Sequence, residues 1–467
     1  GGPVPPLGLL YIAAAIRKQF GDRYQFKIYD TGTNPSSPED FSNLLADFNP
    51  HLVGLSSMSC EADLLHRIAG QVKEHDGNTV VIAGGPHTVV VKEQLLNDQN
   101  IDFSVIGEGE RTIVELLDAL EEEGTVNGVA GLAYRKNGEP ALTNPRNLIE
   151  NLDELPFPAW DLLDPKIYAA YPNWNGELKE RFYAPLVTTR GCPFHCSYCH
   201  NVFGKKVRAR SPENVFAEIE YLHHTLGVPE IHIIDDVFNF DPERAKKLCA
   251  MIMGSKMQFS FAFPNGLRAD IMEENLIDDL RAIGTYKIHY GFETITPRLQ
   301  RLIRKNLNIP KAVQIINRTA AAGIITGAYF MFGFPTETRE EILKTIDFAV
   351  ASNLDVAYFF KVTPYPGSEL YRSLLESGRL DEPESYDDYH FYSVERSCSD
   401  IPNRELNELI LIAQQRFFLR PGRIWKTFRK APRKLDFFKK FMNIIALIIQ
   451  AYIIRKLAGG PGEKNHD

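Results

Sequence analysis

The chain has 467 residues, 44% hydrophobic and 24% charged, an ordinary globular composition with length for two to four domains. Its formal net charge of −8 argues against a general nucleic-acid binder, and no stretch reaches the roughly 20 apolar residues of a membrane-spanning helix. Of six cysteines, Cys60, Cys249 and Cys398 are scattered singly, which suits a reducing compartment and ordinary buried or partly buried thiols.

From Leu7 to about Leu120 helix-period segments alternate with short apolar strands at 25–29, 52–55, 79–83 and 103–106, the pattern of a parallel sheet with crossovers. Residues 1–8 read as a loop entering a helix, so an initial strand is expected upstream. In open sheets of this kind ligands sit beyond the carboxyl ends of the strands. Here those ends read Asp30-Thr31-Gly32, Ser56-Ser57, Gly84-Gly85-Pro86-His87 and Gly107-Glu108-Gly109-Glu110. Taken singly, the glycines are plain turns; at successive strand ends they would let a bulky flat ligand approach the backbone.

Together with Pro5-Pro6-Leu7-Gly8-Leu9-Leu10, these endings resemble a cobalamin-binding, Rossmann-like domain. The resemblance implies cobalamin contacts at Asp30, Ser56, Ser57, Gly84, Gly85, Pro86, His87, Gly107, Glu108 and Gly109. One departure matters. Cobalamin-dependent mutases and methionine synthase carry DxHxxG after the second strand, and here Gly32 stands at the histidine position. That loop is expected to supply no imidazole to cobalt, so the cofactor would bind base-off. His87 is then either a candidate for the lower face or a turn histidine.

Residues 129–143 read as a hairpin about Asn137-Gly138. A proline-punctuated linker follows, with Pro145, Pro156, Pro158, Pro165 and Pro172. Six strand–helix units come next, with strands near 186–189, 230–234, 260–263, 287–292, 326–332 and 355–362. Six units fit a partial (β/α)6 barrel better than a closed eight-unit one, and barrel sites lie at the carboxyl ends of strands.

The loop after the first of these strands reads Gly191-Cys192-Pro193-Phe194-His195-Cys196-Ser197-Tyr198-Cys199-His200. Three thiols at CxxxCxxC spacing can hold an iron–sulfur cluster and leave one iron open. A zinc knuckle using His195 or His200, or a disulfide, are the alternatives.

The spacing, the preceding Thr189-Arg190-Gly191 and the aromatic Tyr198 resemble the signature loop of the radical S-adenosylmethionine enzymes. The resemblance implies a [4Fe-4S] cluster on Cys192, Cys196 and Cys199. Its open iron would chelate S-adenosylmethionine, whose reductive cleavage yields a 5′-deoxyadenosyl radical. It further implies S-adenosylmethionine contacts from Tyr198 in the loop. At the other strand ends it points to Asp235, Asp236, Arg268, Glu293, Gly327 and Gly333. For several of these an internal role competes: a helix cap for the Asp235-Asp236 segment, a structural salt bridge for Arg268, a solvated charge for Glu293.

The domain order resembles the group containing anaerobic magnesium-protoporphyrin monomethyl ester cyclase, hopanoid-modifying enzymes and radical C-methyltransferases. The expected plan is α/β: a Rossmann-like cobalamin domain over 1–143, a linker over 144–184, a radical barrel over 185–380 and a helical C-terminal region over 381–467. C-methylation of an unactivated carbon is the leading expected reaction. Oxidative cyclisation or radical rearrangement, or a non-enzymatic corrinoid or electron carrier, are the alternatives. Methylthiolation of transfer RNA is disfavoured, because the N-terminal domain carries only Cys60.

The implied partners are a small, apolar or amphipathic substrate and a reductant such as flavodoxin or ferredoxin, with no nucleic acid. No secretory signal opens the sequence, so the expected location is cytoplasmic. The C-terminus adds an expectation of peripheral membrane contact. Arg423, Lys426, Arg429, Lys430, Arg433, Lys434 and Lys439 precede an apolar run at 441–454, about 21 Å long as a helix and shorter than the roughly 30 Å hydrocarbon core. The rival reading is a helix packed on the barrel.

Overall fold

The computed structural model describes residues 3–33, 38–122, 124–171, 178–199, 202–383, 385–386, 389, 397–439 and 442. The first sheet holds β1 (Leu52–Ser56), β2 (Val80–Gly84), β3 (Phe103–Val105), β4 (Leu132–Lys136) and β5 (Glu139–Leu142) in that order. β1 to β3 are parallel, and β4 and β5 add antiparallel at one edge. Val81, Ile82 and Ala83 of β2 are all buried, as a strand covered on both faces requires. The turn between β4 and β5 takes the left-handed conformation at Asn137 (φ 53°) and Gly138 (φ 87°), which suits Asn-Gly. Residues 25–29, expected as a strand, are not one: among the described residues the segment has no strand hydrogen-bonded beside it, and apolar alternation alone makes no ladder.

The next strands in the chain are β6 (Ala184–Leu186), β7 (Thr189–Arg190), β8 (Arg208–Ala209), β9 (Glu230–Ile233), β10 (Ser260–Leu267), β11 (Thr285–Glu293), β12 (Ile325–Phe332) and β13 (Val356–Lys361). Six of them form an all-parallel sheet in chain order, β6-β9-β10-β11-β12-β13, while β7 and β8 pair antiparallel on their own. This is the expected open six-unit barrel. On its convex side Phe292, Phe330 and Phe359 pack against Phe348 and Phe417 of the helices Arg339–Ala351 and Asn403–Phe418. Alternation therefore turns His289, Tyr329, Tyr358 and Phe360 to the concave side, where their rings meet.

The helix Pro421–Lys430 closes the barrel's lower end. Arg423 donates to the carbonyls of Val350 (2.8 Å) and Ser352 (3.0 Å), satisfying the C-terminus of the preceding barrel helix. Lys430 reaches Ile324 O (3.1 Å) and the fully buried Asp355 (2.8 Å), and Lys426 also pairs with Asp355 (3.2 Å). This corrects the membrane expectation for Arg423, Lys426 and Lys430, whose charges are engaged by the barrel. The apolar run, apart from Met442, lies outside the described residues, and no described helix is long and apolar enough to cross a membrane.

The first sheet and the barrel are joined through a buried ion cluster. Glu108, just after β3, accepts from Arg190 (2.9 Å), from Arg208 (2.9 and 2.8 Å) and from the Ile149 amide (2.7 Å). Burial alone would raise this carboxyl, but the two guanidiniums overcome it and hold it below the usual range. Glu108→Ala should therefore cost about 3–5 kcal/mol in denaturant unfolding, because the buried Arg208 loses its counter-charge and Arg190 keeps only Glu110. Removing the exposed Lys206–Glu150 pair should cost under about 1 kcal/mol. Equal costs would contradict this account.

Candidate functional site

The cysteine loop is closed at its base by the antiparallel pairing of β7 and β8, with Arg190 opposite Arg208. Gly191 has φ 91°, and a Cβ there would come within 2.3 Å of the Lys206 carbonyl, so only glycine fits. The loop is tied down by Cys192 N to Gly204 O (3.2 Å), Ser197 N to Ile303 O (3.0 Å) and Leu370 N to Ser197 O (2.8 Å). Cys199 is exposed at the loop surface, yet the protein packed around it pushes its thiol up, and repulsion from Cys196 and Cys192 adds to it. Burial likewise raises Cys192, with Cys196 adding to the shift. Cys192 and Cys199, raised with Cys196 beside them, complete with it a three-thiol donor set on one loop that a cationic cluster would relieve, so the residues fit the implied [4Fe-4S] group. His200 lies outside the described residues.

The strand ends sort into two groups. Tyr198 and Glu293 come together: the phenol donates to Glu293 Oε1 (3.1 Å), which also pairs with Lys305 (2.7 Å). Lys305 was not anticipated from the sequence. Burial would lower its ammonium, yet Glu293 and Cys196 outweigh that and hold it raised. The backbone is left-handed at Glu293 (φ 60°) and on both sides of Lys305, at Arg304 (54°) and Asn306 (49°). Strain of this kind is held only where packing over-determines it. A Cβ on Gly291 would fall 2.9 Å from Lys305 Nζ, so that glycine makes room for the ion pair. Asp236 is exposed and accepts from Gly191 N (3.2 Å), which keeps it beside the loop with capacity for a cationic ligand.

The other expected contacts turn inward. Asp235 is buried and accepts from the Thr188 amide (2.6 Å) and hydroxyl, so its carboxylate anchors the start of β7 instead of facing a ligand. The helix cap is Asp241, which accepts from Arg244 N. Arg268 pairs with Asp270 (2.8 Å) and donates to Lys305 O (2.8 Å), and its guanidinium stands 3.8 Å from the centroid of Phe194 inside the cysteine loop. It braces the site; the expected bidentate fork is engaged within the protein.

Gly327 and Gly333 show the same reversal. A Cβ at Gly327 would lie 2.3 Å from the His289 ring, and one at Gly333 2.8 Å from Leu406. In both places the close neighbour is protein. His289 is buried, with Nδ1 2.8 Å from Tyr329 Oη, which itself donates to Pro264 O (2.6 Å).

At the first sheet, Gly107 (φ 89°) has nothing within 4 Å of a virtual Cβ, the open space a ligand needs. Gly85 (φ 94°) instead meets Ser57 O at 2.8 Å and Ser56 Oγ at 2.9 Å, so two strand ends touch there. Gly84 makes only ordinary contact, Pro86 opens the helix Pro86–Val91, and Gly109 packs on Ile12. Asp30 caps its own loop through Gly32 N (2.8 Å) and is held by Tyr168 Oη (2.5 Å). A Cβ on Gly32 would reach Pro3 at 2.8 Å, so position 32 has no room for an imidazole. His87 is buried against Tyr386 (rings 4.9 Å apart) near Ser59 Oγ (3.2 Å), and burial lowers it to about 4. The Glu108 expectation is corrected as well: both carboxylate oxygens are occupied at the domain junction.

Comparison with known proteins agrees with this geometry. Residues 186–349 match the Radical SAM superfamily and residues 1–117 the B12 binding domain. An uncharacterized methyltransferase of Pyrococcus horikoshii is 30% identical over 420 residues, 89% of this chain and 88% of that protein. The chain belongs to the cobalamin-binding radical S-adenosylmethionine enzymes. Its cofactors are accordingly a [4Fe-4S] cluster, S-adenosylmethionine and cobalamin. The fold is shared with TsrM of Kitasatospora setae bound to tryptophan and a S-adenosylmethionine analogue (TM-score 0.69, 17% identity, 92% of this chain and 86% of that one). It is also shared with OxsB bound to aqua-cobalamin (TM-score 0.63, 19% identity, 80% and 53%).

Two tests follow from the strand ends of this radical enzyme. Gly327→Ala should destabilise it by about 1–3 kcal/mol through overpacking on His289. In a double-mutant cycle with His289→Ala the two changes should couple by more than about 1 kcal/mol; additive effects would contradict the contact. Glu337 provides the second. It accepts from Gly333 N (2.6 Å) and Phe334 N (3.1 Å), its other oxygen is buried without a partner among the described residues, and burial raises it from 4.5 to about 7 against the pull of the amides. The folded state thus holds this proton more tightly than the unfolded chain. Its stabilisation is full below about pH 4.5 and fades as pH rises through about 7, by roughly 3 kcal/mol in all. Glu337→Gln should flatten that fall in urea unfolding across this range.

Proposed function

We propose that this enzyme methylates an unactivated carbon of an apolar or amphipathic small molecule. The observation that carries the reading is the junction at Arg190. The residue two positions before Cys192 is clamped to Glu108 and Glu110 of the cobalamin domain, which supports a radical source and a methyl carrier held next to one another. When bound, the cluster and S-adenosylmethionine supply hydrogen abstraction, and methylcobalamin supplies the methyl group.

The chain's own residues position and exclude. Glu293, held by Lys305 and Tyr198, presents a carboxylate at the strand end facing the loop. Tyr329, Tyr358 and Phe360 offer half-buried ring faces on the concave side, which favour an apolar partner. Trp425, Leu435 and Phe438 are exposed in the same segment as the exposed Arg429, which supports contact with a lipid-like substrate at a membrane face.

Relatives named as methyltransferases support methylation. One is the cytidylyl-2-hydroxyethylphosphonate methyltransferase of Streptomyces wedmorensis, 29% identical over 81% of this chain and 79% of that protein. Oxidative cyclisation is the second reading. The anaerobic magnesium-protoporphyrin IX monomethyl ester cyclase of Rubrivivax gelatinosus is 25% identical over 92% of this chain and 76% of its own length.

The test is anaerobic reconstitution with S-adenosylmethionine deuterated in its methyl group, plus reductant and cell extract. Wild type should form 5′-deoxyadenosine and place label in a product, and Cys192→Ala, Cys196→Ala and Cys199→Ala should each abolish both. Cleavage with no label transferred would favour cyclisation. Iron and cobalt bound with no cleavage would leave only a carrier.

A further inference from the structure

Four charged side chains meet where the cobalamin domain touches the cysteine loop. Arg190 donates to Glu108 (2.9 Å) and to Glu110 (2.6 Å), and Arg208 donates to both oxygens of Glu108. Each side chain is at most 7% exposed, and two positive charges face two negative ones. The Arg190 guanidinium lies 5.4 Å from the ring of Tyr11, in the cobalamin domain, and 5.3 Å from that of Phe203, in the cysteine loop. A fork held at both nitrogens between two rings has little freedom.

What lies at each end of this bridge gives it meaning. Glu108 directly follows Gly107, whose Cα faces open space at the strand end. Arg190 is separated from Cys192 only by Gly191, whose backbone runs so close to Lys206 O that a Cβ there would fall 2.3 Å from it. Segment 107–110 therefore cannot move toward a ligand without carrying the cysteine loop along or unpairing a buried charge. We infer that Arg190 is a positioning residue that couples the cobalamin domain to the cluster loop, so that cobalamin binding and cluster assembly strengthen one another. Linkage makes the effect reciprocal: a loop ordered by its cluster holds Glu108 and Glu110 in place, and a filled cobalamin domain holds the loop. The coupling is independent of the substrate.

The experiment titrates the full chain with hydroxocobalamin, with its iron–sulfur cluster reconstituted anaerobically or left out, and follows the reduced cluster by electron paramagnetic resonance. The cluster-loaded wild type should bind hydroxocobalamin at least about fivefold more tightly than the cluster-free form, and its cluster signal should change on cobalamin addition. Glu110→Gln removes one carboxylate from Arg190 and leaves the Arg208–Glu108 pair intact. It should bring the two affinities together and make the signal insensitive to cobalamin, while Arg190→Lys should keep part of the coupling. Equal affinities in the wild type would overturn the inference without any variant. A Glu110→Gln chain that weakens binding by the same factor in both forms, with the ratio kept, would also overturn it, since a simple structural brace would do that.

Discussion

A carboxylate shared by two buried guanidiniums holds this molecule in register. Glu108 sits at the end of β3 in the first sheet, while Arg190 and Arg208 lie on β7 and β8 at the base of the cysteine loop. Because all three side chains are nearly inaccessible to water, the pairing is strong only in one geometry and costly to break. Hydrophobic contact could hold two domains together at many angles. A saturated carboxylate cannot, and this gives the cysteine loop a defined position relative to the cobalamin side.

A second constraint runs through the barrel mouth. Lys305, Glu293 and Tyr198 form a buried set in which each polar group satisfies another, on a backbone that is left-handed at Glu293 and on both sides of Lys305. Arg268 adds to it by bonding Lys305 O while lying on Phe194. The strained turns and the cysteine loop thus support each other, and the site is stiff before any ligand enters. The tail helix works at the opposite end, where Lys426 and Lys430 neutralise Asp355 and Arg423 caps a helix, so that the strands are held below as well as above.

The glycines show how one physical rule has two outcomes. A glycine at a strand end announces that something comes close. At Gly107 that side is open, whereas at Gly85, Gly327 and Gly333 the neighbour is a serine pair, an imidazole and a leucine. Nothing in a one-dimensional pattern tells ligand from protein, because both demand the same missing Cβ. Asp235 and Arg268 follow the same logic: a carboxylate or guanidinium at a strand end is a candidate ligand group until its partners are known.

The sequence by itself determined the family, the three thiols, the six barrel strands and the tight Asn137-Gly138 hairpin. Each of these is local, set by spacing, alternation or turn chemistry within a few residues. Gly32 likewise announced that its loop carries no imidazole, and its packing against Pro3 gives the steric reason. Only the tertiary structure decided which charges meet. Glu108 is 82 residues from Arg190 and 100 from Arg208, and the Arg423 contacts to Val350 and Ser352 span more than 70. It also decided that the basic tail serves the barrel at Arg423, Lys426 and Lys430, and that residues 25–29 run without a ladder. Such pairings depend on which surfaces the fold buries together, and burial is a property of the whole chain, to which no short window of sequence has access.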